Sequence, residues 1–277
     1  TGLPEGTAVV LGGHDYLCGA LPAGVFRPGA VLDVTGTWEI VAAALPEPIL
    51  TPQALELGVV VESHVARGMY SAMCASVAAD MLEWFRNGIC AAQKPDAAGA
   101  GPDWEPLIEE ARRSPPGAHG AMFLPHMAGS TCPRVDPRSL GAFVGLRTSH
   151  TRGDLVRAMF EGLDFQFLEI LQALETGLGT RAEKIVAIGG AVRNGFWMQN
   201  KADVVGKPIE VPAIEEATPL GAAILAGIGL GIYKDEQDAW SRVHRPGRVY
   251  EPNELCAQRY AEGFQVYRRL YPSLKDV

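Results

Sequence analysis

The stretch that decides the fold is KIVAIGGAVRNGFWMQNKADVV, residues 184–205. Its short apolar beginning, Lys184 to Ile188, predicts a strand, and Gly189-Gly190 predicts a tight turn directly after it. The remainder, from Phe196 to Val205, predicts a helix. Strands that alternate with helices in this way indicate an α/β fold.

The same alternation extends over the rest of the chain. Short apolar runs predict further strands at residues 8–12, 30–34 and 209–211. The helix prediction with most support begins at Thr151, because Thr151 is a good N-cap and Asp154 stands three residues on. Small residues lie on several faces of the helix after Thr218, so neighbouring elements can approach its backbone closely. Residues 16–24 are expected to form a short helix or a turn closed by Gly24, and further helices are expected at residues 71–87 (with Gly88 as cap), 104–113, 151–177, 218–227 and 253–271.

The composition is that of a globular chain with a substantial core. The 277 residues are 47% hydrophobic and 20% charged, which excludes a disordered chain, a disulfide-stapled mini-protein and a collagen-like fibre. The formal net charge of −8 argues against a nucleic-acid partner, which would need a basic face. Five scattered cysteines are expected to be reduced and mostly buried, which indicates the cytoplasm. The uncharged stretch 217–233 is too short and too rich in glycine for a membrane span, so no membrane is expected as a partner.

The length fits one large domain or two of ordinary size. The chain starts at Thr1 with a loop-like sequence, which predicts no secretory signal and suggests a fragment or a processed product. Residues 91–120 are rich in Ala, Gly and Pro and are predicted to form a surface excursion around the helix at 104–113.

Three glycine-rich turns follow predicted strands, and such turns bring backbone N–H groups close to an anion. They are Gly12-Gly13-His14-Asp15, Thr35-Gly36-Thr37 and Ile188-Gly189-Gly190-Ala191. None fits the P-loop pattern G-x-x-x-x-G-K-[ST] or the dinucleotide pattern G-x-G-x-x-G. One such turn is weak evidence, but three in one chain favour a phosphate-bearing ligand.

Polar side chains at these turns have a functional and a structural interpretation. Asp15 is either the N-cap of the helix that starts at Tyr16 or a general base that takes a proton from a substrate hydroxyl. His14 is expected to support it. Thr37 offers a hydroxyl and an N–H to a phosphate, or is an ordinary strand-end threonine. Asn194 is a helix cap, or its amide bonds a purine or ribose edge.

Two other polar residues are expected to be structural. His126 is predicted to be a satisfied buried histidine, and Glu39 a solvated or paired residue at a strand edge. No cluster of His, Cys, Asp and Glu has metal-ligand spacing, so any metal would arrive with a nucleotide. No G-x-S-x-G elbow or local cysteine signature points to a covalent nucleophile.

Three segments carry a family resemblance. The most specific begins with Gly141-Ala-Phe-Val-Gly145-Leu146 and, after seven further residues, continues from Asp154 to Glu161. The others are residues 188–208 and 219–227. Together they resemble the C-terminal half of the FGGY carbohydrate kinases, whose second signature the first segment satisfies. Members of this family transfer phosphate from ATP to sugars and polyols.

The resemblance implies an actin-like ATPase fold, related to ribonuclease H, with all of residues 1–277 as the nucleotide-side half of a two-domain kinase. It implies that Asp15 is the catalytic base and that His14, Asp15 and Tyr16 contact the substrate. The implied nucleotide-binding residues are Gly36, Thr37, Gly189, Gly190 and Asn194. ATP and Mg²⁺ are the implied cofactors and a small sugar or polyol the partner, while a homodimer stays open.

The chain departs from the family pattern in three places. The N-terminal domain is expected to be absent, Gly129 to Pro133 replaces an acidic–basic pair, and Ala78-Ala79 stands where a glycine touches nucleotide. We therefore expect the chain alone to be inactive or nearly so. The sugar stays open, since Gly36 to Glu39 is similar to L-fuculokinase over only four residues. The alternative is a non-catalytic nucleotide- or partner-binding module derived from a sugar kinase.

Overall fold

The computed structural model describes residues 2–90, 104–179 and 181–276. Within these residues the strands are β1 (Ala30–Thr35), β2 (Trp38–Leu45), β3 (Val60–Ser63), β4 (Tyr70–Val77), β5 (Met122–Leu124), β6 (Ala142–Val144), β7 (Lys184–Ile188), β8 (Ile209–Val211) and β9 (Arg248–Tyr250). Seven of them form one sheet in the order β3-β4-β2-β1-β7-β8-β9, and β5 pairs with β6. β1, β7 and β8 run parallel, whereas the other neighbours are antiparallel.

Helices connect and cover the sheet. In the same described residues they are α1 (Asp15–Ala23), α2 (Pro52–Glu56), α3 (Ala79–Trp84), α4 (Trp104–Arg113), α5 (Arg152–Leu178), α6 (Gly195–Val205), α7 (Ala217–Gly229), α8 (Glu236–Val243), α9 (Glu254–Tyr267) and α10 (Leu270–Leu274). The α/β class is therefore confirmed, and the sheet is mixed.

Different helices cover the two faces of the sheet, because successive side chains of a strand point to opposite faces. On β1, Val31 belongs to a core that includes residues of α3, α4, α5 and α6. Its neighbour Leu32 belongs to a core shared with α1. The helices α7 and α8 pack behind α1 through Leu21, Ile224 and Ala239.

The long helix α5 begins as the sequence predicts. Thr151 and Asp154 form a capping box, in which each side chain bonds the other residue's backbone N–H. The helix passes through the predicted stop at Gly177 and ends at Gly179, which has a left-handed φ of 65°. Because left-handed φ favours glycine, Gly179 is the better terminator.

Two glycines in the segment 141–162 allow close contacts with the backbone of neighbouring segments. At Gly145 a Cβ would lie 2.5 Å from the Gly120 carbonyl oxygen, and at Gly162 one would lie 2.3 Å from the Phe123 carbonyl oxygen. Real Cβ atoms do not approach that closely, so both positions need glycine. This part of the sequence signature therefore has a packing role.

The strand predicted at residues 8–12 is wrong. These residues form neither a helix nor a strand, and Val9 and Leu11 are 95% and 92% exposed. A strand exists only where its backbone has a hydrogen-bonded neighbour, and the strand pairings of the described residues do not include this segment.

The helix predicted from Ser71 to Asn87 is wrong over its first half, which is β4. Met73 and Val77 are four residues apart, a spacing that fits both a helix and a strand. The pairing of β4 between β3 and β2 decides in favour of the strand. Helix α3 is short and leads into a π-helical turn at Phe85–Ile89, so Gly88 lies inside that turn and is not a cap.

The helix predicted to start at Thr218 begins earlier. Its N-cap position is Glu216, which makes no side-chain cap, and the Thr218 hydroxyl donates instead to the Asp15 carbonyl oxygen at 3.2 Å. The predicted close approach is confirmed, since a Cβ on Gly221 would lie 1.8 Å from the Cys18 carbonyl oxygen in α1.

The predicted excursion at residues 91–120 is described only from Trp104 onward; residues 91–103 lie outside the described residues. The predicted helix is confirmed as α4. Its Leu107, Ile108 and Ala111 are buried, so this part of the segment packs against the body of the domain. At the other end of the chain, the predicted helix 253–271 is divided into α9 and α10.

His126 is buried, as predicted, and its Nδ1 lies 2.7 Å from the Ser139 hydroxyl. Burial, together with the charge of Arg134, lowers the pKa of His126 to about 4. The unfolded chain therefore binds this proton more readily than the folded chain between about pH 6.5 and pH 4. The stabilising effect of the neutral ring is present above pH 6.5 and is lost as the pH falls.

We therefore expect His126→Gln to flatten the acid side of the stability profile. The free energy of unfolding of the unsubstituted chain is expected to drop by up to about 3 kcal/mol between pH 6.5 and pH 4 from this group. Urea unfolding at several pH values measures the slope. An identical slope in the variant would contradict the assignment.

All five cysteines are free, and four of them are buried, as the sequence predicts. Over residues 2–90, 104–179 and 181–276, no helix is both long enough and apolar enough to cross a membrane.

Candidate active site

A cleft of about 560 Å³ opens where β1 and β7 end. The turn Gly36-Thr37 follows β1, and the turn at Gly190 follows β7. Because β1 and β7 are parallel neighbours, both turns reach the same edge of the sheet. The structure thus brings together two of the three glycine-rich turns that the sequence identifies.

The turn between β1 and β2 is held by the start of α3. The Ala78 N–H donates to the Thr37 carbonyl oxygen at 2.9 Å, and the Ala79 N–H donates to the Gly36 carbonyl oxygen at 3.0 Å. The side chain of Thr37 is exposed and lines the cleft. The backbone of Ala78-Ala79 therefore fixes this turn without a glycine.

The turn after β7 depends on Gly189. This residue has a left-handed φ of 106°, and a Cβ there would lie 2.5 Å from the Thr35 carbonyl oxygen. Glycine thus lets the turn after β7 touch the end of β1. The residue after Gly189, Gly190, lines the cleft.

Asn194 caps a helix, as the structural alternative predicts, and it lies in the cleft, where the functional alternative needs it. Its Oδ1 accepts a hydrogen bond from the Trp197 N–H at 3.2 Å and so caps α6. Its Nδ2 has no hydrogen-bond partner within the described part of the chain, and the residue lines the cleft. One amide can therefore both cap the helix and donate to a ligand.

A further wall of the cleft, made by α4, was not found from the sequence. Trp104 is held by a hydrogen bond from its Nε1 to Glu83 at 2.9 Å and by the Arg86 guanidinium 5.3 Å from its ring. Ile108 and Arg112 line the cleft on the same helix. The amphipathic pattern of α4 was a signal that it packs, but nothing in it indicated where.

Asp15 does not line this cleft; it begins α1 on the other face of the sheet. Gly19 of α1 packs against Ile188, the last residue of β7, so α1 starts at the same edge as the cleft. The Asp15 side chain is 76% exposed, and its Oδ1 accepts from the Tyr16 N–H at 2.7 Å. Asp15 is the first helical residue, and His14 occupies the N-cap position.

The neighbours of Asp15 divide into an exposed and a buried one. His14 is half exposed, with its Nδ1 3.3 Å from Glu62. Tyr16 is 2% exposed, and its hydroxyl is engaged with Glu62 at 2.7 Å and Ser71 at 3.1 Å. Burial raises the pKa of Tyr16 well above its usual value. The buried side chain of Tyr16 thus supports the segment that carries Asp15, and a contact of this residue with substrate stays a prediction.

Glu39 is paired, as one predicted alternative had it, but it is neither solvated nor at an edge. It is 1% exposed on β2 and bonds the Nζ of Lys201, which is itself fully buried. Burial raises the pKa of Glu39 to about 7, although the charge of Lys201 opposes the shift. No local pattern indicates this pair, because Lys201 lies far along the chain in α6.

Comparisons with known proteins identify the family of the chain. Residues 32–230 match a family model described as the FGGY family of carbohydrate kinases, C-terminal domain, which covers more than half of the chain. The chain belongs to the FGGY family of carbohydrate kinases. The mixed sheet of this FGGY chain fits the actin-like fold that the resemblance implied.

Several relatives of the FGGY chain carry specific names. It is 28% identical over 277 residues to a xylulose kinase of Staphylococcus epidermidis, covering 100% of this chain and 53% of the relative. It is 34% identical over 259 residues to an autoinducer-2 kinase of Yersinia enterocolitica, covering 91% of this chain and 48% of the relative. The crystal structure of xylulose kinase from Rhodospirillum rubrum superposes with a TM-score of 0.84 at 29% identity, covering 100% of this chain and 53% of that one. The chain spans about half the length of these relatives.

Proposed function

We propose that the chain is the nucleotide-binding half of an ATP-dependent kinase that phosphorylates a hydroxyl of a small ketose or polyol. The observation that carries this proposal is the cleft in which the turn Gly36-Thr37 faces the turn that contains Gly190 and Asn194. Xylulose is the first substrate to test, because two of the relatives are named for it. The free cysteines fit an enzyme of the cytoplasm.

The lining of the cleft suits ATP. The flat side chain of Trp104 and the backbone at Gly190 offer surfaces for a purine, and the amide of Asn194 can donate to one of its ring nitrogens or to the ribose. The exposed hydroxyl of Thr37 can donate to a phosphate. Arg112 and Arg193 also line the cleft and can each bond a phosphate oxygen, although three acidic residues share the lining, namely Asp80, Glu83 and Glu105.

The metal of the reaction fits the cleft as a companion of the nucleotide. In the described parts of the chain, no three His, Cys, Asp or Glu side chains lie close enough to hold a metal ion. Asp80 lines the cleft beside the turn Gly36-Thr37 and can bond a hydrated cation. When bound with the nucleotide, Mg²⁺ neutralises charge on the phosphate oxygens.

Asp15 is proposed as the general base. Its carboxylate is exposed at the edge of the sheet where the cleft opens, and the Tyr16 N–H orients one of its oxygens. There it can accept the proton of the acceptor hydroxyl while that oxygen bonds the terminal phosphorus of ATP, and the bond to the bridging oxygen breaks so that ADP leaves. His14 stands beside it and can bond the same substrate. We propose that full activity needs a second, N-terminal domain that supplies most sugar contacts.

Nucleotide binding by this chain is tested with Asn194→Ala. We expect the dissociation constant for Mg-ADP, measured by calorimetry, to rise roughly 3- to 10-fold, because one hydrogen bond to the ligand is lost. The matched control is Asn253→Ala, which removes the cap of α9, where the Asn253 Oδ1 accepts from the Cys256 N–H at 3.1 Å. Each variant loses about 1 kcal/mol of stability, but only Asn194→Ala is expected to change the affinity.

If the two variants bind Mg-ADP equally well, Asn194 has no role in the site. If the unsubstituted chain does not bind Mg-ADP or Mg-ATP, the cleft is not a nucleotide site in this chain. Binding of nucleotide without turnover, even when an N-terminal half is supplied, would favour the alternative of a non-catalytic nucleotide-binding module.

A further inference from the structure

Lys201 of α6 is completely buried beneath the cleft, and its amino group is fully engaged. Its Nζ donates to Asp33 at 2.8 Å and to the Thr35 hydroxyl at 3.1 Å, both on β1, and to Glu39 on β2. An ammonium group has three hydrogens, so these three acceptors use all of them. The Thr35 hydroxyl in turn donates to Asp33 at 2.8 Å, which closes the network.

The surroundings of this group are charged and dry. Asp33 is 0% exposed and Glu39 is 1% exposed. The rings of Phe167 and Trp197 lie 4.6 and 5.4 Å from the Nζ of Lys201. Burying ions in this way costs free energy that an apolar cluster of the same shape would not, so stability alone is a poor explanation for it.

The position of the network suggests what it does. Thr35 directly precedes the turn Gly36-Thr37, and Glu39 follows it after one intervening residue, so Lys201 bonds a side chain on each side of this turn. Lys201 itself belongs to α6, whose N-terminus is capped by Asn194 on the adenosine side of the cleft. One ammonium group thus ties the two sides of the cleft together through rigid elements.

We propose that Lys201 is a positioning residue that holds the turn Gly36-Thr37 at the distance from Asn194 that a nucleotide with phosphates requires. This inference rests on the proposed function, since it assumes that the cleft binds a nucleotide. Asp33 and Glu39 serve the same end by fixing the ammonium group between β1 and β2. The proposed adenosine side consists of Trp104 of α4, the turn at Gly190 and Asn194, and the hydrogen bonds of Lys201 go to β1 and β2 instead, so that side does not depend on the ammonium group.

The test compares two ligands on the same variants. Lys201→Met is expected to raise the dissociation constant for Mg-ADP at least about tenfold, while that for adenosine stays within about twofold. Because Lys201→Met leaves buried carboxylates without a cation, a second variant combines it with Asp33→Asn and Glu39→Gln, which removes those charges. The same selective loss is expected there. Near-ultraviolet circular dichroism verifies that each variant is folded.

Lys207→Met is the matched control. Lys207 lies two residues after the end of α6, and its Nζ bonds Glu175 and the Ala182 carbonyl oxygen, away from the cleft. It is expected to change neither affinity. An unchanged affinity for Mg-ADP in the folded variants, or an equal loss for both ligands, would overturn the positioning role. If the unsubstituted chain binds no Mg-ADP, the proposed function itself fails, which is a different result.

Discussion

Asp15→Asn is expected to lower the turnover number of the kinase by roughly 10²–10⁴, because the acceptor hydroxyl loses the group that takes its proton. The amide keeps an oxygen for the Tyr16 N–H, which bonds the Asp15 Oδ1 at 2.7 Å, so the start of α1 is expected to stay intact. The dissociation constant for Mg-ADP is expected to be unchanged, since Asp15 does not line the nucleotide cleft.

Turnover is measured with xylulose and Mg-ATP on this chain fused behind the N-terminal half of the Rhodospirillum rubrum enzyme, and in parallel on the chain alone. Asp235→Asn is the control, because Asp235 also stands at the start of a helix, where its Oδ1 accepts from the Asp238 N–H at 2.8 Å. Normal turnover of the Asp15→Asn fusion would show that another group is the base.

Gly221→Val is expected to cost more than about 3 kcal/mol of stability, because the new side chain must force α1 and α7 apart. The Cβ of the new valine would lie 1.8 Å from the oxygen and 2.4 Å from the carbon of the Cys18 carbonyl group. Backbone atoms inside a packed helix cannot move aside cheaply, and α1 also carries Asp15. Urea unfolding at neutral pH measures the effect.

The control for Gly221→Val is Ala222→Val, the same β-branched side chain at the next, exposed position of α7. It is expected to cost only about 0.5 kcal/mol, through its lower helix propensity. Equal free energies of unfolding for the two variants would mean that α1 and α7 do not pack as closely as the structure has them.

Local sequence patterns were enough to predict those elements whose sequence is compatible with only one kind of secondary structure. Strand β7 and helix α6 follow from a short apolar run, two glycines and a capping Asn194, and all lie where they were predicted. Thr151 and Asp154 likewise mark the start of α5 through a contact between near neighbours. Each of these signals is contained within a few residues.

The errors arose where a distant partner decides the structure. The apolar spacing of Met73 and Val77 suits a helix or a strand, and only the pairing of β4 with β2 and β3 selects the strand. Residues 8–12 look like a strand in isolation but have no paired neighbour among the described residues. Neither fact can be read from a window of sequence.

The sequence predicts the turns of the candidate site but not the helix that forms its wall. Gly36-Thr37 and Gly190 were identified because glycine turns after strands have a known relation to anions. Trp104 was missed because only tertiary packing brings α4 over the cleft. The burial of Glu39 was not predicted, because its partner, Lys201, lies 162 residues further along the chain.

The measurement that tests the central claim most directly is a crystal structure of this chain with Mg-ADP. We expect the adenosine between Trp104 and the turn at Gly190, with the amide of Asn194 bonded to it. The phosphates are expected at the turn Gly36-Thr37. A nucleotide bound elsewhere on the chain, or a cleft that stays empty at saturating Mg-ADP, would contradict the account.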